Sequence, residues 1–69
     1  MSAFSERLKE LRNAKGVTQK AVAQGIGVVE QAYQQYEYGK HEPGHEKTVK
    51  LADFFDVTTD YLLGRTDKK

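Results

Sequence analysis

Cysteine is absent from this 69-residue chain, proline occurs once, and no long apolar run interrupts it. Without cysteine there is neither a disulfide scaffold nor a thiolate metal site, a composition that suits a reducing cytoplasm. No stretch approaches the ~20 apolar residues of a membrane span. The opening residues MSAFSERLK lack the apolar core of a signal peptide. A soluble, cytoplasmic protein is expected, with no membrane partner. A strong excess of one charge is also missing: 11 basic and 10 acidic residues leave +1, so bulk electrostatics alone draws no polyanion to the chain. Any affinity for one must come from how the charges are arranged.

Catalytic signatures are equally scarce. There is no cysteine or G-x-S-x-G nucleophile, and Gly25-Ile26-Gly27 lacks the strand context of a dinucleotide loop. His41-Glu42-Pro43-Gly44-His45 does spell H-E-x-x-H, the zinc-protease signature. That signature works only on a continuous helix, which sets both imidazoles on one face. Pro43 and Gly44 stand where a helix would have to run, and no third ligand presents itself. The spelling reads as a loop. No enzyme activity, metal, cofactor or small-molecule substrate is expected, and a core this small leaves little room for a catalytic pocket.

What is present is helical periodicity from end to end, with no strand pattern. Phe4, Leu8 and Leu11 repeat at i, i+4, i+7 and define a first helix ending at Gly16. Thr18 is placed to cap a second helix whose Val22, Ala23 and Ile26 form a buried stripe. Gly27 supplies the sharp turn that follows. A third helix then carries Val29, Ala32, Tyr33 and Tyr36 on one face. Gln31, Gln34, Gln35 and Tyr38 lie opposite, Glu30 is on the flank, and Gly39 is the stop. Pro43 and Gly44 mark a loop. A fourth helix runs from about His45 to Phe55, and a short fifth, capped by Thr58, from Thr59 to Leu63. The class is all-α: five short helices in one domain over residues 1–69, with a helix-turn-helix at about 18–39 and a polar tail at 64–69.

The glutamine-bearing outer face of the third helix is the informative feature. A glutamine amide offers a donor beside an acceptor, the match for the N6/N7 edge of adenine in the major groove. Taken alone, the face reads equally well as solvated polar surface. Charge placement adds weight, because the first forty residues hold six basic and four acidic side chains.

Gln19, Ala23, Gly27, Tyr33, Tyr36, Glu37 and Gly39, at this spacing, resemble the helix-turn-helix of Cro/CI-type (XRE family) repressors. The likeness extends through FSERLKELRNAKG and KLADFFDVTTDYLLGRTD, from about Phe4 to Asp67. It implies a lambda-repressor-like fold that binds double-stranded operator DNA as a homodimer, regulating transcription as a repressor of the phage type. In such a family the start of the recognition helix reads bases. Here that corresponds to Glu30 and Gln31, with Gln35 a turn later, Gln34 adding a base or sugar contact, and Val29 able to touch a thymine methyl. Thr18, Gln19 and Lys20 would meet phosphate at the start of the second helix. Tyr38, Lys40 and His41 would meet it at the far end of the third. The resemblance also pairs Arg12 with Glu37 as a structural ion pair. It assigns the dimer contact to Thr59, Tyr61 and Leu62, beside the Pro43–Gly44 loop, with core packing an equal reading for Tyr61 and Leu62.

Several positions depart from the family pattern. Val29 stands where a capping serine or threonine is usual, and Glu30 places a negative charge at the leading base-reading position. Gly25 is a poor helix former, Tyr33 brings a hydroxyl to the core edge, and His45 and Thr48 occupy positions that are often apolar. Glu30 and the small net charge leave a second reading open: an antitoxin-like or antirepressor-like module that uses the same fold to bind a protein.

Overall fold

The computed structural model describes residues 3–69 and contains α1 (Ala3–Lys15), α2 (Gln19–Ile26), α3 (Glu30–Glu37), α4 (His45–Phe55) and α5 (Thr59–Leu62). No strand occurs among the described residues. One apolar cluster unites the helices: Phe4, Leu8 and Leu11 of α1, Val22, Ala23 and Ile26 of α2, Tyr33 of α3, Leu51, Ala52 and Phe55 of α4, and Tyr61 and Leu62 of α5. At ~1.5–3 kcal/mol for each fully buried large apolar side chain, this cluster is the main term holding α2 and α3 at a fixed relative orientation.

The helix ends follow from local chemistry. Thr18 is extended (φ −84°, ψ 162°) and its hydroxyl accepts from the Ala21 amide; Thr58 caps α5 in the same way through the Tyr61 amide. Gly27 (φ 79°) ends α2 in left-handed space, and the Val28 amide then reaches back to the Ala23 carbonyl at 3.0 Å. Asp56 makes the equivalent turn after α4 (φ 57°), with the Val57 amide on the Ala52 carbonyl at 2.9 Å. Aspartate enters this region at less expense than most side chains.

Other positions differ from expectation. Val29 does not join the buried face of α3: it is the N-cap, makes no side-chain cap bond, and is 71 % exposed. Its extended backbone lies outside the helix, so helical periodicity does not govern its direction. Gly25 has a packing reason to be glycine, because the Phe54 ring lies where a Cβ would sit, 2.4 Å from it. Buried Thr48 satisfies its hydroxyl on the Gly44 carbonyl at 2.9 Å. Residues 64–69 are polar, but the segment is held. The Arg7 guanidinium donates to the carbonyls of Tyr61 and Thr66, pairs with Asp67 at 2.8 Å, and stacks 4.2 Å from the centre of the Tyr61 ring. The Thr58 amide donates to the Lys69 carbonyl at 2.9 Å.

Candidate nucleic-acid interface

α3 packs directly on α2 and α1, which leaves one flank of α3 facing outward. Glu30 and Gln31 are exposed on its first turn, and Gln34 and Gln35 are half-buried a turn later. Val29 precedes them, exposed. After α3 the Lys40 amide returns to the Gln35 carbonyl at 3.0 Å, so Tyr38, Lys40 and His41 gather at the helix end, all exposed. Thr18 and Lys20 are exposed at the start of α2, with Gln19 half-buried between them. The Ala21 amide of that turn is already bonded to the Thr18 hydroxyl at 3.0 Å. Residues 41–44 form no helix and α4 begins only at His45, so the two histidines do not share the continuous helix that an H-E-x-x-H site uses.

Beneath this flank lies a polar network that fixes the two helices. Glu37 is buried, at 1 % exposure. Arg12 reaches it from α1 with two bonds, Nε to Oε2 at 2.6 Å and Nη2 to Oε1 at 3.3 Å. The same guanidinium donates to the Val17 carbonyl at 3.2 Å, tying the α1–α2 connection to the pair. Gln19 Nε2 donates to Glu37 Oε1 at 3.1 Å, and Gln34 Nε2 donates to Gln19 Oε1 at 3.1 Å.

Burial alone would raise the Glu37 pKa. The bonds from Arg12 and Gln19, the facing Tyr33 hydroxyl and the Arg12 charge outweigh it and hold the carboxyl below its ordinary value. Glu37 is therefore an anion at neutral pH. Burial first, and the Glu37 carboxylate second, push the Tyr33 phenol well above its ordinary range. Its hydroxyl lies outside hydrogen-bond geometry to any described group.

The side chains proposed for dimer contact divide. Leu62 is fully buried and Tyr61 is 9 % exposed, so both belong to the core of the protomer, the alternative left open by the sequence. Thr59 is half-buried, and the large apolar side chain presented at this end is Leu63, at 52 % exposure. Sequence reasoning placed the last residue of a periodic run in the helix. The helix instead stops at Leu62, and Leu63 as its C-cap turns outward. Arg7 and the Gln19–Gln34 bond were likewise missed, because no local pattern links residues so far apart in the chain.

Comparison with known proteins agrees with this architecture. A family model described as helix-turn-helix matches residues 8–62. A prophage-derived, uncharacterised helix-turn-helix transcriptional regulator of Bacillus subtilis, YonR, is 43 % identical over 63 residues, covering 91 % of this chain and 58 % of its own length. The cryptic phage CTXphi transcriptional repressor RstR of Vibrio cholerae is 40 % identical over 62 residues, 90 % of this chain and 55 % of its own. The chain thus spans somewhat more than half the length of these relatives. Among solved structures, the P22 c2 repressor in complex with a synthetic operator superposes with a TM-score of 0.87 at 28 % identity, covering 91 % of this chain and 96 % of that one. The buried pair, the glycine turn and the exposed flank of α3 thus sit in a frame shared with phage repressors, and the chain belongs to the XRE-type helix-turn-helix family of transcriptional regulators, which are not enzymes.

Proposed function

We propose that this chain binds a palindromic DNA operator in the cytoplasm as a homodimer, inserting α3 into the major groove, and acts as a transcriptional repressor. The observation that carries the reading is the outward flank of α3, where exposed Gln31 and the adjoining Gln34 and Gln35 stand between two clusters of phosphate-directed groups. Val29, Glu30, Gln31, Gln34 and Gln35 are the base-reading set. Glu30 accepts from cytosine N4 and Val29 meets a thymine methyl. Thr18, Gln19, Lys20, Tyr38, Lys40 and His41 hold phosphates and set the register. The P22 c2 repressor, which shares this fold, occurs bound to a synthetic operator, and RstR is a transcriptional repressor. Both support the reading.

One recognition helix spans only a few base pairs. A second copy, ~34 Å along the duplex, doubles the contacts. Thr59 and Leu63 form the contact between copies, with the Pro43–Gly44 loop beside them. Whatever else the chain is joined to, residues 1–69 act as one DNA-binding domain.

Two substitutions separate base reading from phosphate binding. Gln31→Ala should lower discrimination at one operator position while leaving binding to random duplex nearly intact. Lys40→Ala should weaken all duplexes alike and reduce the slope of log K against log salt by about 1. Exposed Glu30 and the +1 net charge favour a second reading, a protein-binding module. That reading requires affinity for a protein that changes little with salt, and no affinity for duplex DNA.

A further inference from the structure

A carboxylate accepts hydrogen bonds and donates none, so it imposes a direction on every group bonded behind it. Glu37 receives Arg12 on both oxygens and Gln19 Nε2 on Oε1. Having turned its NH2 toward the carboxylate, the Gln19 amide must face the other way with its carbonyl oxygen. That oxygen is the acceptor for Gln34 Nε2. Gln34 is thereby held in the same sense: its NH2 faces Gln19 and its Oε1 faces away from Gln19. A surface glutamine in isolation presents either end of its amide. Here an anion two hydrogen bonds away selects one.

Gln34 stands on the same side of α3 as exposed Gln31, three residues earlier, and shares the outward flank with Gln35. Resting on the DNA-binding reading above, we infer that Gln34 is a specificity-determining residue whose carbonyl oxygen accepts a hydrogen bond from an exocyclic amine on a base edge, adenine N6 or cytosine N4. Glu37 and Gln19 are positioning residues that set its sense. Guanine and thymine present keto oxygens in the major groove, and these oppose the Gln34 oxygen.

The experiment has one readout without DNA and one with it. In 15N-labelled protein, the Gln34 side-chain amide protons should exchange slowly in the wild type and rapidly in Gln19→Leu. In competition binding against operators varied one base at a time, the wild type should favour an amine-bearing base at one position by roughly fivefold or more. In Gln19→Leu that preference should fall to roughly twofold or less, with no further fall in Gln19→Leu/Gln34→Ala. Gln34→Lys, which replaces the acceptor with a donor, should move the preference toward guanine or thymine and does not depend on how Gln19→Leu folds. A uniform loss of affinity in Gln19→Leu with the base preference intact would overturn the inference while leaving DNA binding standing. Fast exchange of the Gln34 amide in the wild type would overturn it as well. A wild-type protein that binds no duplex would defeat the DNA reading and the assignment of Gln34 together.

Discussion

Glu37 is the last residue of α3, ten residues beyond the turn glycine Gly27, yet its side chain bonds to both α1 and α2. Its burial makes Arg12 indispensable to it. Removal of the cation leaves an uncompensated anion inside the protein, so Arg12→Met should cost about 3–5 kcal/mol in chemical denaturation. Proton linkage checks the same pair. The folded pKa of Glu37 lies below its ordinary value of 4.5, so the carboxylate's contribution is complete above that pH. It is lost as the pH falls through the depressed folded value. In Arg12→Met the folded pKa should instead rise, and this group should then favour the folded state as the pH falls. Denaturation midpoints of the two proteins between pH 7 and 3 should therefore converge; parallel curves would contradict the assignment. Arg12 and Glu37 were legible in the sequence because the family pattern couples them, whereas the depth of burial was not, since it depends on how three helices close over one side chain. Tyr33 was legible as a difficulty, a hydroxyl in need of a partner, but the side chain is fully buried rather than at a core edge, and the hydroxyl lacks a hydrogen bond.

At the scale of the element, caps and stops were the most readable features. Thr18, Thr58 and Gly27 each carry local chemistry that needs no tertiary context, and each does what its type dictates. Val29 is the exception at the start of α3, with cap geometry (φ −74°, ψ 154°) but no side-chain acceptor. Val29→Thr should therefore stabilise the fold by ~1 kcal/mol, seen as a raised Tm. Gly25 makes the opposite case. Propensity alone promises about 1 kcal/mol from Gly25→Ala. The Phe54 ring occupies the space the new methyl would take, and overpacking of this kind typically costs ~1–3 kcal/mol. Gly25→Ala should thus be destabilising in the wild type and stabilising in a Phe54→Ala background. A stabilising effect in both would mean that the ring moves aside freely. Sequence gave no hint of this contact, because it joins α2 to α4 across 29 residues.

For the whole molecule, the +1 net charge conceals an uneven division of labour. Arg7 is occupied by the 64–69 segment and Arg12 by Glu37, so two of the six cations in the first forty residues serve the fold. Lys9 and Lys15 belong to α1, with Lys15 5.5 Å from the centre of the Phe54 ring. Lys20 and Lys40 remain beside α3, both exposed. A dimer that sets these two lysines of each protomer on phosphates should show a slope of log K against log salt of about −4. That value is shallow for an operator-binding protein and leaves more of the affinity to the α3 flank. The Arg7 clasp could not be read from the sequence, where Arg7 looks like one more charge on a helix surface and 64–69 like a free polar tail.

The most direct measurement is selection from a pool of random duplex DNA at two salt concentrations, with the bound sequences read out. Recovery of a palindrome at the lower salt, with half-sites about one helical turn apart and weakened recovery at the higher salt, is the expected result. Failure to enrich any sequence, with no affinity for duplex even at low salt, would contradict operator binding and turn attention to a protein partner for the α3 flank.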